Sequence, residues 1–415
     1  MVHARRLTLL AVLLLTATST ASAEATQYTK PNVRAVTGFV RLDAGDPGAQ
    51  IAPALAVLRA ARSEFEQRGY QVQTLRVVTQ PFVELVEGRS DTQALALLKA
   101  LDDLAAQDGF VVNVGPAMLR DADDPRAMRL LAQGLSSLDH ISGSAIIAAA
   151  NGIQRQVIRE SAALVRYVAD HSPGSRGNFN FTAMAMMQPY GPFFPGTYHT
   201  GAGRQFSIGF EGANVVQQVF ARKRGDIDAA ATELTAQLSL HAKAAEAVGQ
   251  QVAAATRWSF MGIDSSPAPL GDVSIGAAIE TFSNARFGSS GTLSAALVIT
   301  TALRALPVKL VGYSGLMLPV MEDKVLARRW AEGAFDIDSV LAYSAVCGTG
   351  LDTVPLPGDV SEEQLARIFG DVAALASKWN KPLSARLQPV KGKQAGEQTD
   401  FKGEYLFNTK LRALP

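Results

Sequence analysis

The stretch YSAVCGTGLDTVPLPGD, residues 343–359, contains Cys347, the only cysteine of this 415-residue chain. An apolar run, 340–346, precedes the cysteine, and glycines, prolines and two aspartates follow it. In α/β proteins, polar loops of this kind follow buried strands and bind ligands. The pattern therefore predicts a strand over 340–346 and a functional loop after it.

Short apolar runs and helical segments alternate along the rest of the chain. This alternation predicts an α/β fold, with a mainly parallel sheet that is covered by helices. The predicted helices are 51–65, 91–106, 155–170, 226–249, 291–305, 322–332 and 361–377. The predicted strands are 34–40, 73–79, 109–114, 143–149, 179–187, 206–210, 256–263, 308–313, 340–346 and 383–389. Ten strands can remain an open sheet or close into a barrel.

Three polar loops carry specific motifs: GIDSSPAPLGDVSIGAAIE at 262–280, GYSGLMLPVMED at 312–323, and CGTGLDTVPLPGD at 347–359. Together they resemble an uncharacterised prokaryotic family known as the pyruvate formate-lyase-like family. The resemblance covers nearly all of residues 24–415. It implies one domain, a ten-stranded α/β barrel of the pyruvate formate-lyase and ribonucleotide reductase type with helices outside. The family has no established substrate, so the resemblance implies a fold and no reaction.

The radical enzymes with that fold use an oxidisable glycine near the C-terminus and a cysteine placed earlier in the chain. The similar string here, Lys309 to Tyr313, precedes Cys347 and lacks the expected arginine. We therefore expect chemistry without a glycyl radical.

Residues 1–23 have the pattern of a cleaved signal peptide. Arg5 and Arg6 precede an apolar core at 7–15, and an Ala-Ser-Ala cleavage pattern ends at Ala23. The core is shorter than the roughly 20 residues that span a bilayer, and no later stretch is apolar enough. We expect export to the periplasm and no membrane span after signal removal.

The charge balance indicates the class of partner. The chain has 39 basic and 38 acidic residues, and charged residues make up only 19% of it. Nucleic acids and anionic membranes bind proteins with a concentrated positive charge, so neither is expected. The expected partner is a small-molecule substrate or ligand. The sequence leaves the oligomeric state open.

Four side chains in the predicted loops are candidates for catalysis: Cys347, His199, Asp264 and Asp352. Cys347 is compatible with a nucleophile, a metal ligand or a small core residue. Histidine transfers protons near neutral pH and binds metals. His199, Asp264 and Asp352 could together hold a divalent metal ion, although no ligand spacing defines such a site.

Further polar residues and glycines of the loops are candidates for binding the substrate. Glycines allow close backbone approach to a ligand, and the turn before the predicted helix at 291–305 could present N–H groups to an anion. Helix capping is the alternative for several of these residues. The candidates are Tyr313, Ser314, Glu322, Asp323, Gly348, Gly350, Ser289, Ser290 and Gly291.

The resulting hypothesis is an exported enzyme with a barrel-enclosed polar site. The loops carrying His199, Asp264 and Cys347 are predicted to meet in one cavity and to support non-radical hydrolase or lyase chemistry. The alternative is a periplasmic solute-binding protein that uses the same pocket without catalysis.

Overall fold

The computed structural model describes residues 28–346 and 348–414. The predicted signal peptide, 1–23, and Cys347 lie outside the described residues. In the described part of the chain, no helix is long and apolar enough to cross a membrane.

Ten strands form one mixed sheet. Their bounds are β1 Asn32–Phe39, β2 Val72–Val78, β3 Val111–Pro116, β4 Ile141–Ala149, β5 Gly152–Ile153, β6 Phe181–Ala185, β7 Gln205–Glu211, β8 Ser259–Asp264, β9 Gly350–Pro357 and β10 Leu383–Val390.

The centre of the sheet is parallel. On each side of it lie two strands that are parallel to each other and antiparallel to the centre. The strand order is β8-β7-β1-β2-β3-β4-β6-β10-β9, and β5 pairs with β4 as a short hairpin. Strands β1, β2, β3, β4 and β6 are parallel. Strands β7 and β10 run antiparallel to this centre, and each is followed outward by a parallel neighbour, β8 and β9.

Twelve α-helices connect the strands in the described residues. They are α1 Pro47–Gln67, α2 Phe82–Val86, α3 Asp91–Asp108, α4 Arg126–Leu135, α5 Arg155–His171, α6 Ala213–Arg222, α7 Ile227–Thr256, α8 Ile275–Ser283, α9 Thr292–Arg304, α10 Lys324–Glu332, α11 Ile337–Ser344 and α12 Glu362–Trp379.

Local sequence explains where several helices begin. The Asp46 side chain accepts hydrogen bonds from the backbone of the first turn of α1. Ser361 and Gln364 form the capping box that the sequence predicts at the start of α12. The apolar faces of the helices join the sheet in one continuous buried cluster that extends from Val33 to Leu387.

Eight of the ten predicted strands are confirmed, and two predictions are wrong. Residues 308–313 form only an isolated bridge at Leu310. Residues 340–346 belong largely to α11, because Asp336 and Ser339 form a capping box that starts a helix before the apolar run. The structure has β5 and β9 instead. The predicted number of ten strands is therefore right, although two of the predicted strands are wrong.

Strand β9 lies within the stretch that the sequence pattern assigned to a loop. Strand β9 contains Pro355 and Pro357, although proline removes a donor from the hydrogen-bond ladder. The ladder of β9 lies on one side only, against β10, and a strand with one free side tolerates proline. The segment around Cys347 therefore leads into a strand and does not follow one.

The outermost strands β8 and β9 share no ladder with each other. The segment that follows α9 approaches both of them. Leu310 forms a parallel bridge with Ile263 of β8, and Pro319 forms one with Asp352 of β9. The fold is thus an α/β structure with a ten-stranded mixed sheet.

Candidate functional site

A long loop between β6 and β7, residues 186–204, crosses one face of the sheet. On β1, Gly38 faces Leu58 of α1, whereas the neighbouring Thr37 donates from its Oγ1 to the carbonyl of Pro192 at 3.0 Å. Successive strand residues point to opposite faces. The loop, called the crossing loop below, therefore lies on the face opposite to α1.

The crossing loop enters and leaves at the carboxyl end of the parallel strands. It begins directly after β6, and His199 Nε2 donates to the carbonyl of Val40, just beyond β1, at 2.7 Å. Its middle reaches inward, where Asn113 Nδ2 donates to the carbonyl of Pro195 at 2.9 Å. This end of the sheet is consequently occupied by the protein's own chain.

A cavity lies toward the opposite, amino end of the parallel strands. It has a volume of about 390 Å³, within the usual range of small-molecule sites. Its walls come from the first residues of β1, β3, β4 and β6, from Thr74 and Arg76 of β2, from β9 and β10, from residues 193–196 of the crossing loop, from residues 313–322 and from residues 405–406. The sequence pattern predicts ligands at the carboxyl ends of the strands, and at that end of the parallel strands the structure places the crossing loop. The position of a ligand stays a prediction.

Arg76 of β2 is a buried cation that lines the cavity. Its side chain is 8% exposed. Nε donates to Thr74 Oγ1 at 3.0 Å, Nη1 donates to the carbonyl of Pro192 at 3.3 Å, and the guanidinium lies over the Phe194 ring. No carboxylate of the described residues forms a salt bridge with Arg76, and no described group accepts from its Nη2.

Burial and two nearby arginines lower the pKa of Arg76. Loss of hydration, followed by the charges of Arg34 and Arg386, lowers the pKa of Arg76 to about 9, and the charge of Glu322 opposes this shift. The positive charge of Arg76 is therefore only partly compensated by the protein. A bound anion would restore the balance.

Two carboxylates of the cavity, Asp352 of β9 and Glu322 before α10, flank Arg386 of β10. Arg386 donates from Nε to Asp352 Oδ1 at 2.7 Å and from Nη2 to Glu322 Oε1 at 2.7 Å. All three residues line the cavity. Burial raises the pKa of Asp352 against the opposing effect of Arg386. The two carboxylates thus share one arginine.

Of the thirteen predicted site residues, Asp352, Glu322 and Tyr313 line this cavity. Burial raises the pKa of the Tyr313 hydroxyl, so this group is neutral at physiological pH. The tyrosine ring lies against Gly196 of the crossing loop, where a methyl group would collide with the Tyr313 hydroxyl.

His199 does not line the cavity. Its imidazole is fully buried, contacts the rings of Phe39 and Tyr190, and donates from Nε2 to Val40. Burial lowers the pKa of His199, so the ring is neutral, with its proton on the bonded nitrogen. The histidine fixes the returning end of the crossing loop.

Asp264 is a structural carboxylate in this fold. It ends β8 and is fully buried, and it accepts hydrogen bonds from the backbone N–H groups of Ser266, Tyr313 and Ser314 and from the Ser266 hydroxyl. Burial raises its pKa to about 6. Ser314 donates from its N–H to Asp264 and from its hydroxyl to the carbonyl of Val311, so it belongs to the same hydrogen-bond network.

The strand register separates Asp264 from His199. Asp264 pairs with Gly209, and Gly209 pairs with Ala35 in β1, whereas His199 is bonded to Val40. Five residues of extended chain correspond to about 16 Å. The predicted meeting of these two loops is therefore wrong, because β8 runs opposite to β1.

Asp323 caps a helix. Its carboxylate accepts from the N–H groups of Val325 and Leu326 at the start of α10, and from Ser274 Oγ and the N–H of Gly276 at the start of α8. It is fully buried. Two helix starts use the oxygens of Asp323, and Asp323 does not line the cavity. Its substrate-binding role stays a prediction.

The predicted ligand-binding glycines contact other backbone segments. A methyl group on Gly348 would lie 2.2 Å from Cα of Gly315, and one on Gly350 would lie 2.3 Å from the carbonyl oxygen of Ser384. Both glycines permit close packing of the chain on itself. Ser289, Ser290 and Gly291 form an exposed turn before α9, outside the cavity.

Within residues 28–346 and 348–414, no group of three or more His, Cys, Asp and Glu side chains could hold a metal ion. His199, Asp264 and Asp352 take part in three different sets of contacts, so the proposed metal set is not assembled. The role of Cys347 stays a prediction, since it lies outside the described residues; Thr349, two positions later, lines the cavity.

The sequence interpretation missed the cavity arginines Arg34, Arg76 and Arg386. Each lies inside a predicted strand, in RAVTGFV, QTLRVVT or LSARLQP. A cation within a strand that is otherwise buried requires a polar environment on one face. The three arginines were therefore a detectable signal for a polar site on the sheet.

The chain has the features of an uncharacterised protein family. Residues 25–402 match the family described as "Uncharacterised ACR (DUF711)", and the chain belongs to this family. A UPF0210 protein of Pyrobaculum aerophilum is 32% identical over 378 residues, covering 85% of this chain and 81% of that protein. A UPF0210 protein of Desulforudis audaxviator is 28% identical, with coverages of 81% and 78%. The expected membership of an uncharacterised family is confirmed.

Among solved structures, similarity is found to anaerobic ribonucleotide reductases. The Thermotoga maritima enzyme in complex with dATP and CTP aligns with a TM-score of 0.39 at 8% identity, covering 85% of this chain and 75% of that one. Another anaerobic ribonucleotide reductase gives 0.41 at 7% identity, covering 90% and 76%.

Proposed function

We propose that this protein binds a small anionic molecule in the cavity beside Arg76. The observation that carries the proposal is a buried guanidinium without a carboxylate partner in the described residues. A buried charge is costly unless it is paired. A carboxylate or phosphate group of a ligand would provide the missing partner through charge-assisted hydrogen bonds.

The other cavity charges support Arg76 as the anion-binding residue. Arg34 donates to Glu211 at 3.3 Å, and Arg386 is neutralised by Asp352 and Glu322. Asp139 pairs with the exposed Arg176. Arg76 is thus the cavity arginine that has no ion pair within the described residues.

We further propose that the sheet closes into a barrel around this cavity. The bridges of Leu310 with Ile263 and of Pro319 with Asp352 support closure, because one segment then connects β8 with β9. The backbone of Val320 also donates to the carbonyl of Asp352 at 3.0 Å. A closed wall would exclude water and strengthen the attraction of Arg76 for an anion.

Calorimetric titration with small carboxylates and phosphates, with and without amino groups, tests the binding proposal. We expect Arg76→Gln to weaken binding at least tenfold, as for loss of a charge-assisted hydrogen bond, and Arg76→Lys to weaken it less. Arg367→Gln, on the exposed face of α12, is the matched control and should bind like wild type. Binding that is indifferent to Arg76→Gln, or no binding of any panel member, would refute the proposal.

A second candidate function is a non-radical enzyme that uses the same cavity, with hydrolase or lyase chemistry. It is favoured by Asp352, whose raised pKa suits proton transfer close to a bound anion. Incubating a bound ligand with the protein and following it by NMR tests this function. Asp352→Asn should abolish conversion of a ligand even at concentrations that saturate the variant, and Cys347→Ala tests the predicted nucleophile in the same assay.

Export of this protein is a separate proposal that depends on the sequence of residues 1–23. Expression of the full chain in a Gram-negative host, followed by fractionation and mass determination, tests it. A periplasmic product that begins near Glu24 would support export, and an uncleaved cytoplasmic chain would contradict it.

A further inference from the structure

We infer that the ligand of this cavity is a zwitterion, a small molecule that carries an ammonium group in addition to its anionic group, as amino acids do. The inference rests on the proposed anion site at Arg76. It adds the chemical class of the ligand and assigns a second subsite to Glu322 and Asp352.

The first step concerns charge. Arg386 carries one positive charge, whereas Glu322 and Asp352 carry two negative charges when ionised. The cluster around Arg386 therefore has one surplus negative charge, and Arg76 has one surplus positive charge. Both face the same cavity. A ligand with one group of each sign would compensate both, while a simple anion would leave the carboxylates uncompensated.

The second step concerns hydrogen-bonding capacity. Arg386 uses Oδ1 of Asp352 and Oε1 of Glu322. Within the described residues, no donor is bonded to Oδ2 of Asp352 or to Oε2 of Glu322. The two side chains keep 16% and 18% of their surface accessible at the cavity wall. They thus present free acceptors, and an ammonium group supplies three donors.

The third step concerns the opposite subsite. Arg76 is more than nine-tenths buried, its Nη2 has no acceptor among the described residues, and its guanidinium is held in place by Thr74, Pro192 and Phe194. This independent anchor distinguishes the arrangement from a solvated acidic cluster. An amino acid could place its carboxylate on Arg76 and its ammonium group toward Glu322.

Matched pairs of ligands test the inference in the calorimeter. The probes are the proteinogenic L-amino acids, β-alanine and 4-aminobutyrate, each compared with its deaminated acid, such as L-glutamate with glutarate and L-phenylalanine with 3-phenylpropionate. We expect at least one amino acid to bind tenfold or more tightly than its deaminated partner. If deaminated acids bind equally well or better throughout, the zwitterion inference is refuted while the anion site stands.

Two variants assign the subsites. Glu322→Gln should weaken binding of the amino acid about tenfold and leave binding of its deaminated partner unchanged, whereas Arg76→Gln should weaken both. If Glu322→Gln does not fold, Asp352→Asn replaces it, because Arg386 then retains Glu322 as its partner. Equal loss of both ligands in either folded carboxylate variant would overturn the ammonium subsite. Absence of any Arg76-dependent binding would instead overturn the anion site itself.

Discussion

Asp264 ends β8 and Asp352 lies in β9, the two outermost strands of the sheet, and the two aspartates differ in what fills their oxygens. Asp264 accepts four hydrogen bonds from Ser266, Tyr313 and Ser314, all within the protein. Asp352 accepts from Arg386 with Oδ1, its Oδ2 has no donor within the described residues, and the residue lines the cavity. Burial raises the pKa of both carboxyl groups.

The comparison indicates that an aspartate with a shifted pKa is a candidate functional residue only when one of its oxygens lacks a hydrogen-bond donor within the protein. The surroundings of Asp264 are complete without a ligand, and its bonds hold the loop after β8 to the segment at 313–314. Under the proposed function, a ligand would complete the surroundings of Asp352. A shifted pKa alone does not separate these cases, because structural networks also shift pKa values.

The largest expected difference is in stability. Asp264→Asn replaces an acceptor with an NH₂ group that faces backbone donors, so we expect the free energy of unfolding at pH 5 to fall by about 4 kcal/mol. Asp352→Asn is the matched change, and we expect a loss of about 1 kcal/mol because Arg386 keeps Glu322. Urea denaturation of the three proteins measures both. Equal losses would remove the distinction between the two sites.

The next effect is the pH dependence of stability. The pKa of Asp264 is about 6 in the folded protein and about 4 in an unfolded chain. The folded state therefore binds this proton more tightly, and the resulting stabilisation is fully present below about pH 4 and lost as the pH rises through 6. Between pH 4 and 7, we expect the advantage of wild type over Asp264→Asn to shrink by about 3 kcal/mol.

Denaturation of both proteins across this pH range measures the linkage. The difference between the two curves isolates Asp264 from the other carboxylates. An advantage that is constant or grows with pH would show that the hydrogen bonds of Asp264 outweigh its burial.

A smaller loss of stability is expected from a substitution at Gly348, which is linked to Asp264 through Ser266 and Gly315. Ser266 Oγ accepts from the N–H of Gly315, and Gly315 packs on Gly348. Gly348→Ala places a methyl group 2.2 Å from Cα of Gly315, so we expect a loss of about 2 kcal/mol through a forced backbone shift. Thermal and urea denaturation measure it. An unchanged stability would mean that the crossing of these two segments is loose.

The smallest effect is expected at Gly370, which serves as the control for Gly348. Gly370 lies within α12, and nothing is within 4 Å of the position of an added methyl group. Alanine has the higher helix propensity, so Gly370→Ala should increase the free energy of unfolding by roughly 0.5–1 kcal/mol. Destabilisation here would indicate that the losses at Gly348 are not specific to its close contact.

The sequence by itself determined much of the secondary structure and the class of fold. Apolar periodicity identified eight of the strands, and the Ser361 capping box identified the start of α12, because both depend on residues close together in the chain. Periodicity failed at 340–346, where Asp336 and Ser339 start a helix, and at β9, where prolines are tolerated because only one side carries a ladder.

Only the tertiary structure decided which residues share a site. The direction of each strand determines where its loops lie, and β8 and β9 run opposite to β1, so loops that look equivalent in the sequence lie at different ends of the sheet. The crossing loop then fills the carboxyl end of the parallel strands and leaves the cavity at their amino end. Arg76 and Arg386, separated by some 310 positions in the chain, face one cavity because strand pairing and loop placement are long-range properties that no local pattern encodes.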